Sequence, residues 1–421
     1  VRYDASAGNI ASSTIDGRTY GGVVEIYSNS ATARTVTLAS DTYTTSGANS
    51  HFHVIADGNS PGDVTIDGAT NNPAVNIGGN LDFTGTGTAS EAITSGSGTW
   101  TVTGNVDFTG GTYTASTNNT LAMNGASKTI TSNSQSLENF SITGGSVSNA
   151  DALTVAGNYN LSSGTFTHGA DVNVVLLGDA VNIASGATFT KATATGILIM
   201  DGLSDDQWFE DLNGTKQDLG SVQIGQSPGT TKLKSDFSAS SLTIASGDTF
   251  ETHGWEVDIS GNIDCQGTCD FDLTDVVPSN EGDGTIVTFG GNWTMSATGT
   301  FVPSTTSRVE PDGTADQTVT TGGKAFWDFY SNNAGGTDTV DDVIISGAFD
   351  VDGALTVNDG ELDLETNDPA TDVEGNISIT SGAELNASST GSFNAAGSWD
   401  NNGTFTANSG TVTFDSADTG E

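Results

Sequence analysis

The segment Trp100-Thr-Val-Thr-Gly-Asn-Val-Asp-Phe108 decides the fold, because the chain repeats its pattern. Counted from Asn105, the positions five and three before and one and three after are Trp100, Val102, Val106 and Phe108. Around Asn80 they are Val75, Ile77, Leu81 and Phe83, and around Asn158 they are Leu153, Val155, Tyr159 and Leu161. Around Asn262 stand Val257, Ile259, Ile263 and Cys265; around Asn292, Val287, Phe289, Trp293 and Met295; around Asn376, Thr371, Val373, Ile377 and Ile379. Twenty-three of these 24 sites are apolar in a chain that is 34% hydrophobic, Thr371 being the exception. The four sites share one parity, which is the period of a half-buried strand. The glycine before each Asn interrupts that strand, and Asn tolerates a left-handed backbone, so Gly-Asn reads as a corner between two short strands.

The six copies are spaced 25, 53, 104, 30 and 84 residues apart, near multiples of a unit of about 26 to 28. A unit of that size holds three short strands and three turns, which is one coil of a β-solenoid. The chain of 421 residues then makes about 16 coils. The six windows are expected to lie above one another. Two more Gly-Asn pairs, Gly8-Asn9 and Gly58-Asn59, do not fit the pattern. The expected organisation is a set of opening coils over 1–74 followed by solenoid repeats over 75–421. No substantial helix is expected, and Asp205–Asp211 would form one helical turn at most.

The composition agrees with a thin, turn-rich coil. There are 55 Gly, 109 Ser plus Thr and 33 Asn, so few residues are needed for the core. Ten Lys plus Arg against 52 Asp plus Glu leave a net charge of −42. That field excludes a nucleic-acid binder and a ligand of anionic membrane surfaces. No apolar run reaches the 18 or so residues of a membrane span. The chain opens on Val1 with no signal-peptide core, which reads as a processed or a trimmed form, and Glu421 reads either as a natural end or as a boundary within a longer stalk.

The two cysteines stand as Cys265-Gln-Gly-Thr-Cys269, and a turn at the three central residues brings them within bridging range. A local disulfide is expected, with an oxidising, extracellular address; the alternative is a reduced pair of small core residues.

At the N-terminus, Val36-Thr-Leu-Ala-Ser-Asp-Thr-Tyr43, His53-Val-Ile-Ala-Asp-Gly58 and Val64-Thr-Ile-Asp-Gly68 resemble the opening coils of pectin-lyase-like right-handed parallel β-helices. The later windows, ending in Gly397-Ser-Trp-Asp-Asn-Asn-Gly-Thr-Phe-Thr-Ala-Asn-Ser-Gly-Thr-Val-Thr-Phe-Asp415, resemble low-complexity repeats of large secreted and cell-surface microbial proteins. The resemblance implies an all-β, right-handed parallel β-helix at the cell surface, and specifies no reaction.

Catalytic groups are not expected. A lyase or hydrolase on such a helix needs carboxylates in company with Lys or Arg, and none of the ten cations has that company in the sequence. Asp205-Asp206 and Asp341-Asp342 read as loop acids, and His51 with His53 supplies only two metal ligands. In the acid-rich stretch Asp350–Glu374, Glu361, Asp363 and Glu365 alternate with Leu362 and Leu364 and are expected on one exposed strand face. Oxygen-only groups of this kind suit Ca²⁺, the alternative being a solvated acidic face. No cofactor is required beyond that calcium.

The reading that follows is an extracellular structural or adhesive surface protein, and more sharply a filament subunit that stacks head to tail. The joint is expected to use Val412 and Phe414 near the C-terminus against the strand of Val23, Val24 and Ile26 near the N-terminus. Self-association and glycans are the expected partners, with nucleic acid and membrane insertion excluded. The alternative is a carbohydrate-binding or carbohydrate-cleaving β-helix, for which outward aromatic side chains would be the telling feature.

Overall fold

The computed structural model describes residues 1–4, 13–30, 32–47, 49–57, 63–85, 88–202, 206–274, 285–334 and 342–415. Gly8-Asn9, Gly58-Asn59, Asp205 and Asp341 lie outside these residues. Among the described residues the regular elements are all β-strands, and the chain is a parallel β-solenoid of about 16 turns. It divides into two compact units, Val1–Ile199 with Asp211–Gln217, and Met200–Glu210 with Asp218–Glu421.

In the first unit each coil contributes strands to three columns. One column is a 5-stranded sheet of Ser13–Ile15, Arg34–Leu38, Val64–Asp67, Glu91–Thr94 and Thr112–Thr114. Another stacks Arg2–Asp4, Val24–Ser28, Phe52–Ala56, Leu81–Phe83 and Val106–Asp107 in parallel register. The third stacks Thr42–Thr45, Ala74–Ile77, Thr99–Val102 and Thr120–Met123. These ladders run through residue 74 without a break, so the opening coils and the repeats after them share one core.

The second unit keeps the same three-strand coil. An 8-stranded sheet runs from Phe237–Ala239 to Trp399–Asn401, and a 5-stranded sheet from Ala325–Phe326 to Thr411–Phe414. A further column begins with Ser221–Ile224 and ends with Glu384–Asn386 and Thr404–Thr406. Asp206–Asp211 is a strand of this coil pattern and not a helical turn; its Trp208 pairs in register with Lys232. Its alternation of buried Gln207 and Phe209 with outward Trp208 fits a strand, which a helix would not.

The core is the inward parity of these strands. All 24 window sites are buried, Thr371 included. In the second unit Phe250, Phe271 and Phe301 lie in register on successive coils, with ring centres 5.7 and 5.9 Å apart, and Phe237 and Phe326 meet the ends of that row at 5.5 and 5.6 Å. Coils that stack in register place like side chains over like, so one aromatic position becomes a column.

The Gly-Asn corners work differently from expectation. None of these six glycines or asparagines has a positive φ. The glycine is needed for close approach: a Cβ on Gly104 would fall 2.3 Å from the carbonyl carbon of Gly79, and one on Gly291 2.7 Å from that of Gly261. The asparagine joins coils. The side-chain oxygen of Asn80 accepts the N–H of Asn105 (2.9 Å), that of Asn105 accepts from Thr129 (3.1 Å), and that of Asn262 accepts from Asn292 (2.8 Å). Each bond gives a partner to a backbone donor that the corner takes out of the ladder. Nor do the windows form one file. Those at Asn80 and Asn105 stack directly, as do those at Asn262 and Asn292. Within the second unit, however, Asn376 turns the chain from the 5-stranded sheet into the 8-stranded one, whereas Asn262 leaves the 8-stranded sheet. The same device therefore serves more than one corner.

Candidate functional site

The coil of Ser392–Ala395, Trp399–Asn401, Thr404–Thr406 and Thr411–Phe414 pairs on one side with Thr371–Val373, Ile377–Ile379 and Glu384–Asn386. Among the described residues its further side carries no strand. The side chains that continue the core are consequently uncovered. Trp399, Phe405 and Val412 are partly exposed and Phe414 is 67% exposed, although Phe414 stacks in register on buried Ala395 and Val412 on buried Phe393. Trp399 meets Phe405 edge-on at 4.9 Å and Phe414 at 6.0 Å, so the face is an aromatic cluster.

The expected partner strand is placed otherwise. Val24–Ser28 is flanked on both edges, by Arg2–Asp4 and by Phe52–Ala56, and Val24 and Ile26 point into the core at 3% and 0% exposure. Val23 precedes that strand, half-buried. None of the three offers an edge, because a segment near a chain end in sequence need not lie at the end of a solenoid. Among the described residues Arg2–Asp4 is the outer strand of that column.

The acid-rich stretch does not make one exposed row. Glu361 is half-buried, Glu365 is exposed and Asp363 is 6% exposed. The Asp363 carboxylate closes a turn, accepting the N–H of Glu365 (2.7 Å), the N–H of Thr366 (3.0 Å) and the Thr366 hydroxyl (2.5 Å). An Asp at a strand end bonds the backbone two or three residues on, and this local chemistry outweighs the strand alternation. Glu361 instead stacks between Asp342 and Glu384 of the neighbouring coils. Burial, together with those carboxylates, pushes its pKa up against the Asn386 amide that donates to it. Among the described residues no group of three or more His, Cys, Asp or Glu is arranged to hold a metal ion. His51 accepts the N–H of Asn80 through Nδ1 and His53 pairs with Asp82 through Nδ1, so both rings have local partners.

Cys265 and Cys269 are joined, with Cα atoms 5.6 Å apart, around a corner where Gly267 has φ +57° and Cys269 N–H donates to Gln266. Both sulfurs are buried in the core.

One constellation was not legible in the sequence. Trp208, Lys232 and Glu251 stand in one outward row on successive coils, with Asp272 next. Lys232 Nζ bridges Asp206 (2.7 Å) and Glu251 (3.3 Å), and His253 Nε2 lies 2.9 Å from Glu251. Burial pulls the Lys232 ammonium down, but the two carboxylates outweigh it and hold its pKa above the ordinary lysine value. Lys234 Nζ sits 4.8 Å and Lys232 Nζ 5.6 Å from the Trp208 ring centre. The alternate lysines 232 and 234 were the only hint, since register alone unites residues from three coils.

No protein-family model, curated protein or solved structure matches the chain. The architecture is therefore established from the chain itself: a parallel β-solenoid of stacked coils.

Proposed function

We propose that the chain is an extracellular structural or adhesive surface protein, akin to secreted pectin-lyase-like β-helices, whose working feature is its stackable coils and not a catalytic centre. The observation that carries this reading is the uncovered core of Trp399, Phe405, Val412 and Phe414. Such a face takes another β-coil, which pairs with the free strand edges and continues the core. In the sharper form of the proposal a second copy supplies that coil through the outer edge of Arg2–Asp4, in place of Val24–Ser28. The contact is heterologous, so it propagates into a filament. The buried Cys265–Cys269 bond supports an oxidising address.

The test is electron microscopy and sedimentation of the 421-residue chain beside Phe414→Asp and a form lacking Gly403–Glu421. Filaments are expected from the first and folded, non-elongating protein from the other two, with elongation favoured by salt because the net charge of −42 is screened. A truncated form that still elongates, or a full chain that stays monomeric at every salt concentration, would overturn the head-to-tail reading.

A second reading, a glycan-binding face, is favoured by the outward Trp208 with Lys232 and Lys234 beside it. Loss of glycan retention on Trp208→Ala, with assembly unchanged, would support it.

A further inference from the structure

A pair of buried carboxylates lies apart from every site described above. Asp201 and Asp248 are 2% and 1% exposed. They flank one corner, where the turns after Met200, Ile224 and Ile244 stack on successive coils: Gly225 N–H donates to Met200 O (2.6 Å) and Ala245 N–H to Ile224 O (3.0 Å). Asp201 Oδ1 accepts the N–H of Ser227 (3.3 Å) in the middle turn, and Thr249 N–H donates to Gly229 O (2.9 Å). The Asp248 carboxylate accepts the N–H of Gly229 and packs on Gly225, a residue at φ +81°. A Cβ on Gly225 would fall 1.9 Å from the Asp248 carboxyl carbon, so the cradle admits only glycine.

What this corner lacks is a counter-charge. Oδ1 of Asp248 is buried with no hydrogen-bond donor. The ion pairs found among the described residues involve neither aspartate. Buried charges in proteins are paired, protonated or bound to a metal, because an uncompensated one costs several kcal/mol.

We propose that Asp201 and Asp248 bind a hard divalent cation, Ca²⁺ above all, that ties three successive coils together at this corner. The ligand set is two carboxylates completed by neutral turn oxygens and water. Ca²⁺ accepts such an irregular all-oxygen shell, whereas Mg²⁺ demands a near-ideal octahedron. Two carboxylates are fewer than a three-carboxylate metal cluster, which explains why no such cluster marks the place.

The experiment is calorimetric titration of the chelator-stripped full chain with CaCl₂ at pH 8 in about 0.15 M NaCl, an ionic strength that screens diffuse counter-ion effects. Melting curves are recorded alongside. One saturable Ca²⁺ per chain is expected, with Tm raised by a few degrees once free Ca²⁺ exceeds its Kd about a hundredfold. Asp248→Asn and Asp201→Asn should each lose that binding, while Glu361→Gln retains it. Asp248→Asn should also melt higher than the parent in chelator, since it removes a buried charge. No saturable binding by the parent, or equal binding by Asp248→Asn, would overturn the proposal and leave a proton as the counter-charge. Should one variant fail to fold, the other and the parent stoichiometry still decide.

Discussion

Trp293 and Trp399 each follow a Gly-x corner, Gly291-Asn292 and Gly397-Ser398, in different columns of one unit, and their surroundings differ. Trp293 is fully buried, in register between Ile263 below and Val319 above, and touches Phe271, Phe301 and Phe326. Among the described residues Trp399 is in register with Ile377 on one side only; of its aromatic neighbours Phe393 is buried, whereas Phe405 and Phe414 are themselves open to solvent. The two coils carry the same alternating pattern. The difference teaches that an inward side chain in a solenoid is stabilised by the coils above and below it, so the pattern names a core residue while stacking makes it one.

The largest effect that tests this comparison is Trp293→Ala, expected to cost about 3–5 kcal/mol, against well under half of that for Trp399→Ala in the unassembled chain. Denaturant melts of both would check it, and equal costs would break the comparison. If a further coil covers Trp399 in filaments, its substitution should become as costly there as Trp293→Ala.

Next in size is the disulfide corner. Replacing Cys265 and Cys269 with Ser closes off a constraint on a very short loop and should cost about 2 kcal/mol. Mass spectrometry of protein isolated without reductant should find no free thiols, and two free thiols would contradict the bonded corner.

Several acids of the second unit should respond to pH in the direction opposite to ordinary acid unfolding. Burial first, and neighbouring carboxylates second, raise the pKa of Asp350, Glu361, Asp270 and Asp312 above their usual values. A raised pKa means that the folded chain binds protons before the unfolded one. Stability from these groups is therefore fully present below the unfolded values and declines as pH rises through the folded ones. Asp248 sets the upper part of that window, between 3.8 and about 6. Tm should rise as pH is lowered from 8 to about 5. A Tm that falls steadily over that interval would show that these groups are not strained.

The smallest expected change concerns the single polar window site. Thr371 is 1% exposed and its hydroxyl has no partner, while its register neighbours Phe349 and Phe393 are apolar. Thr371→Val should stabilise the fold by about 1 kcal/mol by removing a buried unsatisfied group.

Much of this was legible in the sequence, for a physical reason. Alternation of Trp100, Val102, Val106 and Phe108 about a Gly-Asn corner is local, and a strand exposes one parity to each side whatever lies beyond it. The three-strand coil, the all-β character of the described residues and the burial of the window sites followed from that alone. Register did not, because coils of 19 to 30 residues can slip or change corners without altering the local pattern, and so the six windows were wrongly expected in one file. Sequence position also misled at Val24 and Ile26, which lie near the chain start but inside the ladder. Side-chain alternation misled at Asp363, where a turn claimed the carboxylate. The Trp208 cluster and the Asp201–Asp248 corner have no sequence signature, since each is assembled from residues on successive coils, one or more repeat lengths apart in the chain. The sequence by itself determined what each strand turns inward; only the tertiary stacking decided which of those strands meet, which acids are buried without a counter-charge, and which core side chains are uncovered among the described residues.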